Sequence, residues 1–156
     1  MPFMYVDYMT KLMAPKPYPP QPNFDPPTLT PLRKPITEST IGVFTSCGAQ
    51  LIDDEPMAET NDLSYRLLHR SIALSELKVS HMTPSRKWAL EDLNVAYPRD
   101  RLIELEENGV FKRLAPTAVS MVGSITRYTE LLGNVVPRIK EEFDKQEVDL
   151  ALILPF

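Results

Sequence analysis

Cys47 is the only cysteine of the chain and His81 one of its two histidines, so thiol or imidazole chemistry has few places to sit. A single cysteine can form neither an internal disulfide nor a cysteine-based metal cluster. As a nucleophile, Cys47 needs a nearby cation or a helix N-terminus to stabilise its thiolate. Its plain reading is a small residue packed at a strand end. His81 can act as a general base, as a hydrogen-bond partner, or in a purely structural role. Ser46, Gly48 and Ser80 flank these two residues. A second small pair, Gly123-Ser124, can present backbone N–H groups to a carboxylate if a helix begins there, and is otherwise a tight turn with a cap. Asp53, Asp54, Glu55, His69 and His81 offer oxygen and nitrogen donors without a recognised ligand spacing, and no metal site is assigned.

These groups meet only if the backbone brings them to one place. "TIGVFTS" (40–46) is an apolar, β-rich run ending near Gly48, which reads as a strand and a turn. "LKVSH" (77–81) reads as a second strand and "TAVSMVG" (117–123) as a third. "VDLALILPF" supplies the last, over 148–154. Pro98 and Gly109 bracket a helix with Leu102, Ile103 and Leu105 on its inner side. After Ser124, a predicted helix cap, apolar residues from Ile125 to Phe143 recur at helical spacing; Gly133 and Pro137 within them predict a kink or two abutting helices. Residues 53–56 read as a loop and 85–94 as a helix of undefined extent. Short apolar strands alternating with amphipathic helices predict an α/β layered domain with a parallel sheet, flavodoxin- or Rossmann-like, over 37–156. Ligands of such sheets bind beyond the carboxyl ends of the strands. Parallel strands would gather Ser46-Cys47-Gly48, Ser80-His81, Gly123-Ser124 and Pro155-Phe156 on one rim.

Residues 1–36 are different. Ten of the sixteen prolines lie there, so this arm can be neither regular helix nor sheet. It also carries Phe3, Tyr5, Tyr8, Tyr18 and Phe24, which predicts an extended arm packed on the domain or on a partner rather than a solvated tail. Several function classes are excluded by composition. The net charge of −4 and the lack of a basic block leave no nucleic-acid footprint. No apolar run approaches the ~20 residues of a membrane span, and no basic start precedes an apolar core as in a secretory signal. The expected location is the cytoplasm. No strand is followed by a dinucleotide or P-loop glycine pattern, which disfavours a nicotinamide or ATP enzyme.

Taken in order, "TESTIGVFTSCGAQLIDDEP", "DLSYRLLHR", "SELKVSH", "LEDLNVAYPRDRLIELEENGVFKRLAPTAVSMVGSI" and "VDLALILPF" resemble the selenoprotein B family of glycine, sarcosine, betaine and D-proline reductases, and most of all its D-proline reductase type. The most specific stretch is Ser80, His81, Asp92, Asn94, Tyr97, Pro98, Asp100, Arg101 and Leu102. The resemblance implies an oxidoreductase subunit or fragment that reductively cleaves a C–N bond of a small amino acid or amine, with a dithiol or thioredoxin-like reductant. In the family, a strand similar to "DLALILPF" leads into a redox motif of selenocysteine or cysteine, two residues, then cysteine. On this sequence that selenocysteine falls immediately after Phe156, so 37–156 reads as the N-terminal part of a longer reductase domain whose UGA codon is read as a stop. No cofactor is expected in the chain itself. The resemblance implies a partner subunit whose pyruvoyl group condenses with the substrate amine and weakens the neighbouring C–N bond. A selenol, more acidic than a thiol and so ionised at neutral pH as a polarisable selenolate, then attacks the α-carbon, and a cysteine resolves the adduct. D-Proline would gain two electrons and two protons to give 5-aminovalerate while the dithiol becomes a disulfide. Cys47 does not stand at the family's redox position. With Cys47 and His81 as candidate catalytic residues, Ser46, Gly48, Ser80, Asn94, Gly123 and Ser124 are the candidate substrate-binding ones.

The alternatives are a non-enzymatic subunit that docks through the Pro-rich arm, and a stand-alone thiol enzyme using Cys47 and His81. A last strand left uncovered also predicts a homo-oligomer or aggregation through that face.

Overall fold

β1 (Thr40–Thr45) is the strand around which the chain is built. In the computed structural model, which describes residues 25, 26, 28 and 30–156, it has partners on both edges. β7 (Leu150–Leu154) runs parallel along one edge, with Ile41 opposite Leu150 and Thr45 opposite Leu154. The other edge is shared by β5 (Arg113–Leu114), beside Thr40 and Ile41, and β6 (Thr117–Ser120), beside Phe44 and Thr45, both parallel to β1. β3 (Arg66–His69) closes that side as an antiparallel partner of β6. The five-stranded sheet is therefore mostly parallel.

Alternation along the strands divides the core in two. Ile41, Val43 and Ala118 pack on one face with Ala89 of α1 (Arg86–Glu91) and Leu102 of α2 (Arg99–Glu107), joined by Leu93, Ala96 and Tyr97 from the link between these helices. Phe44, Val119 and Met121 pack on the other with Val135, Ile139 and Phe143. That second layer is a broken helix: α3 (Tyr128–Glu130), a π turn over Leu131–Val135, and α4 (Val136–Lys145) with Pro137 in its first turn. The break expected at Gly133 and Pro137 is thus a π turn that contains Gly133, followed by Pro137 at the start of α4, where a residue without an N–H is tolerated. α2 starts after Pro98 and ends before Gly109, as the bracketing residues predict. The fold is mixed α/β with helices on both faces of the sheet.

Two expectations are corrected. The strand at 77–81 is not a member of the parallel sheet: β4 (Leu77–Val79) pairs antiparallel with β2 (Ala49–Leu51) in a separate two-stranded sheet. The reason is Gly48, whose φ of 67° turns the chain off the main sheet and leaves β2 an edge for β4 to take. Ser124 does not cap the next helix, which begins at Tyr128 after Arg127. The Asn61 side-chain carbonyl instead accepts the N–H groups of Thr126 and Arg127, at 2.7 and 3.2 Å, and holds this stretch outside the helix. Most of the Pro-rich arm, with Phe3, Tyr5, Tyr8, Tyr18 and Phe24, lies outside the described residues. Its described end contributes Lys34, which pairs with Asp149 at 2.7 Å just before β7.

β7 is an edge strand: among the described strands it pairs with β1 alone. Leu150, Leu152 and Leu154 pack against the core, whereas Ile153 on the opposite face is 66% exposed. A free edge with an exposed β-branched residue is a template for pairing. Ile153→Lys should therefore lower concentration-dependent self-association in sizing experiments and leave the far-ultraviolet spectrum unchanged. Equal association by both forms at matched concentration would contradict this.

Candidate active site

The site lies where β1, β6 and β7 end. Ser46 follows β1 and ties its neighbours together through its backbone: its N–H donates to Leu154 O at 3.0 Å, and its carbonyl accepts Gly123 N–H at 3.1 Å. Its hydroxyl accepts the N–H of Phe156 at 2.8 Å, across 110 residues of sequence. Gly48 N–H donates to Met121 O at 2.9 Å, and Cys47 bridges Val122, so the chain leaving β1 is stitched to the chain leaving β6.

β4 delivers its end to the same place by a different route. Ser80 N–H donates to Gly48 O at 3.0 Å and His81 N–H to Cys47 O at 3.1 Å. Although antiparallel to β2, β4 thus ends at the rim formed by the parallel strands. The His81 ring stands edge-on to Phe156, centroids 6.2 Å apart and planes at 84°. Gly123 completes the wall: a Cβ there would lie 3.0 Å from Ser46 Cβ and 3.4 Å from His81 Nε2. The structure therefore brings Ser46, Cys47, Gly48, Ser80, His81, Gly123 and Phe156 together. Ser124 is adjacent, with its carbonyl taken by Asn61 N–H at 2.7 Å.

Asn94 is placed elsewhere. Its amide donates to Asp92 at 3.1 Å and its side-chain carbonyl accepts Asp100 N–H at 3.2 Å, fixing the corner between α1 and α2. That corner presents Ala96 O to the Thr45 hydroxyl, at 2.8 Å, and buries Tyr97, whose phenol is pushed up to about 12 chiefly by burial. The specific motif from Ser80 to Leu102 thus builds the support beneath the rim.

Electrostatics separate the two candidate catalytic residues. Cys47 is fully buried, and burial pushes its thiol up, opposite to what an ionised nucleophile requires. His81 is 8% exposed, and burial lowers its pKa, so it is neutral near pH 7. Its Nδ1 is buried and has no partner among the described residues. An unmet nitrogen of this kind costs stability unless something uses it. Asp53, Asp54, Glu55 and His69 do not converge on His81: among the described residues no three His, Cys, Asp or Glu side chains cluster as metal ligands.

Some contributors carry no signal in the sequence. Gln50 is fully buried, accepts the Ser80 hydroxyl at 2.9 Å and Met57 N–H at 3.1 Å, and donates to Glu55 O at 2.9 Å. It holds Ser80, yet in "GAQL" it reads as one polar residue on a surface strand. Ser120, with a buried hydroxyl that lacks a partner among the described residues, sits beside Thr45 in the same layer. Beyond Ser46 and Gly123 a cleft of about 310 Å³ opens between the sheet end and the π turn, lined by Phe44, Met121, Ile125, Leu131 and Ile139 among others.

The chain is similar to D-proline reductase subunit gamma of Acetoanaerobium sticklandii, with 24% identity over 128 residues, which is 82% of this chain and 53% of that protein. The chain thus spans about half the length of this curated relative. The motif-based resemblance and this comparison point to the same kind of reductase. No protein-family model matches the chain, and no solved structure matches it. Among the described residues, no helix is long and apolar enough to cross a membrane.

Proposed function

We propose that this chain is the supporting part of a D-proline-reductase-like enzyme. That enzyme reductively cleaves a C–N bond in a small amino acid or amine, together with a pyruvoyl-bearing partner subunit and a dithiol reductant. The observation that carries the reading is the placement of Phe156. Its N–H is held by the Ser46 hydroxyl and its ring lies against His81. A residue joined to Phe156 therefore stands at the rim, and in the family that residue is the selenocysteine or cysteine supplying a polarisable nucleophile for the α-carbon. The similarity to a D-proline reductase subunit supports the same reading.

Each residue of the rim has a part in this scheme. Ser46 fixes the direction in which the chain leaves β7. Gly123 keeps open the space that a Cβ would take from Ser46 and His81. His81, neutral and with Nδ1 unpaired, accepts the proton released when the chalcogen ionises and returns one to the product carbon. Cys47 is the packed residue beneath, its carbonyl anchoring His81. Overall, the substrate gains two electrons and two protons as the C–N bond opens, and the dithiol becomes a disulfide.

The test is reconstitution. A form extended past Phe156 with selenocysteine or cysteine and the downstream redox segment is mixed with the pyruvoyl subunit, dithiol and D-proline. It is expected to co-purify with that subunit and to consume D-proline and dithiol one for one. The 156-residue chain is expected to give no turnover. Turnover by the short chain, or an extended form that binds the partner but leaves each amine substrate unreduced, would overturn the proposal, the latter favouring a docking role.

A further inference from the structure

We infer that the basic, proline-rich stretch at residues 9–20 docks back onto this domain, in an acidic groove that runs along β4 from the two-stranded sheet to the corner of α1 and α2. This contact stands whether or not the chain is a reductase. Two cavities that meet at Ser75 form the groove, one of about 400 Å³ beside Ile52 and one of about 470 Å³ at the corner. Leu74 and Leu77 lie in it, and Leu90 and Ile52 on its walls are 61% and 54% exposed. Its charge is one-sided. Asp53, Glu76, Glu91, Asp92 and Asp100 line it against a single lysine, Lys78, whose ammonium is already held by the carbonyls of Ile52 and Asp54 at 2.7 Å. Asp100 is paired with Arg99, and Asp92 and Glu76 accept local N–H groups. Asp53 in one cavity and Glu91 in the other take no part in the ion pairs among the described residues.

Charge, apolar content and reach all select that stretch. Between Tyr8 and Phe24 the sequence holds Lys11 and Lys16 and no acidic residue. Leu12, Met13 and Tyr18 beside them supply the apolar groups that cover exposed leucines. The prolines restrict the free chain, so docking costs less conformational entropy than for an ordinary segment. Reach sets no obstacle. The arm joins the domain at Lys34, held by Asp149, and Lys16 lies eighteen residues before it. At about 3.1 Å per residue that length would span about 55 Å, against roughly 35 Å across a domain of about 120 residues. The tether keeps the segment at about millimolar effective concentration, so weak contacts suffice. Val79 lines the groove and Ser80-His81 follow it, so the docked segment lies along the strand that carries His81.

The experiment uses the full chain with labelled methyl groups. Nuclear Overhauser contacts are expected between the Met13 methyl or the Tyr18 ring and the Leu74 and Leu90 methyls, and they should persist on dilution. Lys11→Glu combined with Lys16→Glu is expected to abolish them and to move the Leu74, Leu90 and Ile52 signals, while the Val43 and Leu152 signals of the main sheet stay in place. A synthetic peptide of residues 8–20 added to that variant is expected to restore the groove signals. Adding Asp53→Asn and Glu91→Gln should weaken the peptide about 2–30-fold, the loss of two exposed ion pairs. Unmoved groove signals in the lysine variant, or a peptide that binds equally well without the two carboxylates, overturn the inference. Contacts that vanish on dilution assign the groove to the arm of a second copy. Groove shifts that appear only with the pyruvoyl-bearing subunit assign it to that partner. Either result overturns docking within one chain.

Discussion

Replacing His81 with phenylalanine in the reconstituted reductase is expected to lower turnover by about 10²–10⁴-fold, the range for losing a positioned acid–base group. Phenylalanine is chosen because it keeps an aromatic ring against Phe156 and so separates packing from proton transfer. Alanine would remove both. The pH profile supplies a second readout. Burial lowers the His81 pKa below its ordinary 6.5, so the neutral base is populated down to a pH below that value. Activity is expected to hold through pH 6.5 and fall only under it. Stability follows the same group with a defined sign. The unfolded chain protonates His81 near 6.5 and the folded chain resists, so the unfolded state binds more protons in the interval between. Stability is therefore highest above 6.5 and declines as pH drops below it toward the folded pKa. Denaturant midpoints at pH 7.5 and 5.5 should differ for the parent protein, and His81→Phe should remove that group's share of the difference. Wild-type turnover by His81→Phe would show that the imidazole moves no proton.

The parts of this arrangement that sequence reveals are those written locally. "TIGVFTS", "TAVSMVG" and "DLALIL" are apolar and β-rich, so β1, β6 and β7 are visible, although β6 stops at Ser120 rather than Gly123 and β7 starts at Leu150 rather than Val148. Pro98 and Gly109 bracket α2 for equally local reasons. Three of the four predicted rim segments come from parallel strands as anticipated. The fourth, Ser80-His81, arrives by antiparallel pairing with β2, a choice made by the turn at Gly48 and invisible from 77–81 alone. β3 was hidden because "RLLH" alternates weakly: Leu68 is buried while Leu67 is 42% exposed. The Ser46–Phe156 clamp spans 110 residues and no spacing rule reaches that far. Asn94 looks polar and available in sequence, and only the fold shows both ends of its amide already used. Thus the rim was legible as a set of strand ends. What separates a buried thiol from an imidazole with an unpaired nitrogen is the depth of each group, which depends on the layers packed over it.

Gly48→Ala is expected to destabilise the protein by about 2–5 kcal/mol, because two costs coincide at this position. An alanine at φ 67° costs about 1–2 kcal/mol in the left-handed region. Its Cβ would also lie 2.8 Å from Val122 Cγ2 and 3.3 Å from both His81 N and Ser80 Cβ. Val122 is fully buried and bridged to Cys47, so it has little freedom to yield, and overpacking of this kind costs about 1–3 kcal/mol. Gly109 provides the control. It has nearly the same φ, 71°, but nothing within 4 Å of the added Cβ, so Gly109→Ala should cost only the backbone share. For a domain of this size the difference appears as a fall in Tm of roughly 5–15 °C for Gly48→Ala and a few degrees for Gly109→Ala. The displaced atoms also matter for function, because Gly48 O holds Ser80 N–H and the neighbouring Cys47 O holds His81 N–H. If Ser80 and His81 retreat from the new methyl, the imidazole leaves the Phe156 edge. The His81 ring-proton shifts should then move in Gly48→Ala and stay in place in Gly109→Ala. Equal stability losses in the two variants would mean that Val122 relaxes freely, and that the crowding around Gly48 is not what sets the position of His81.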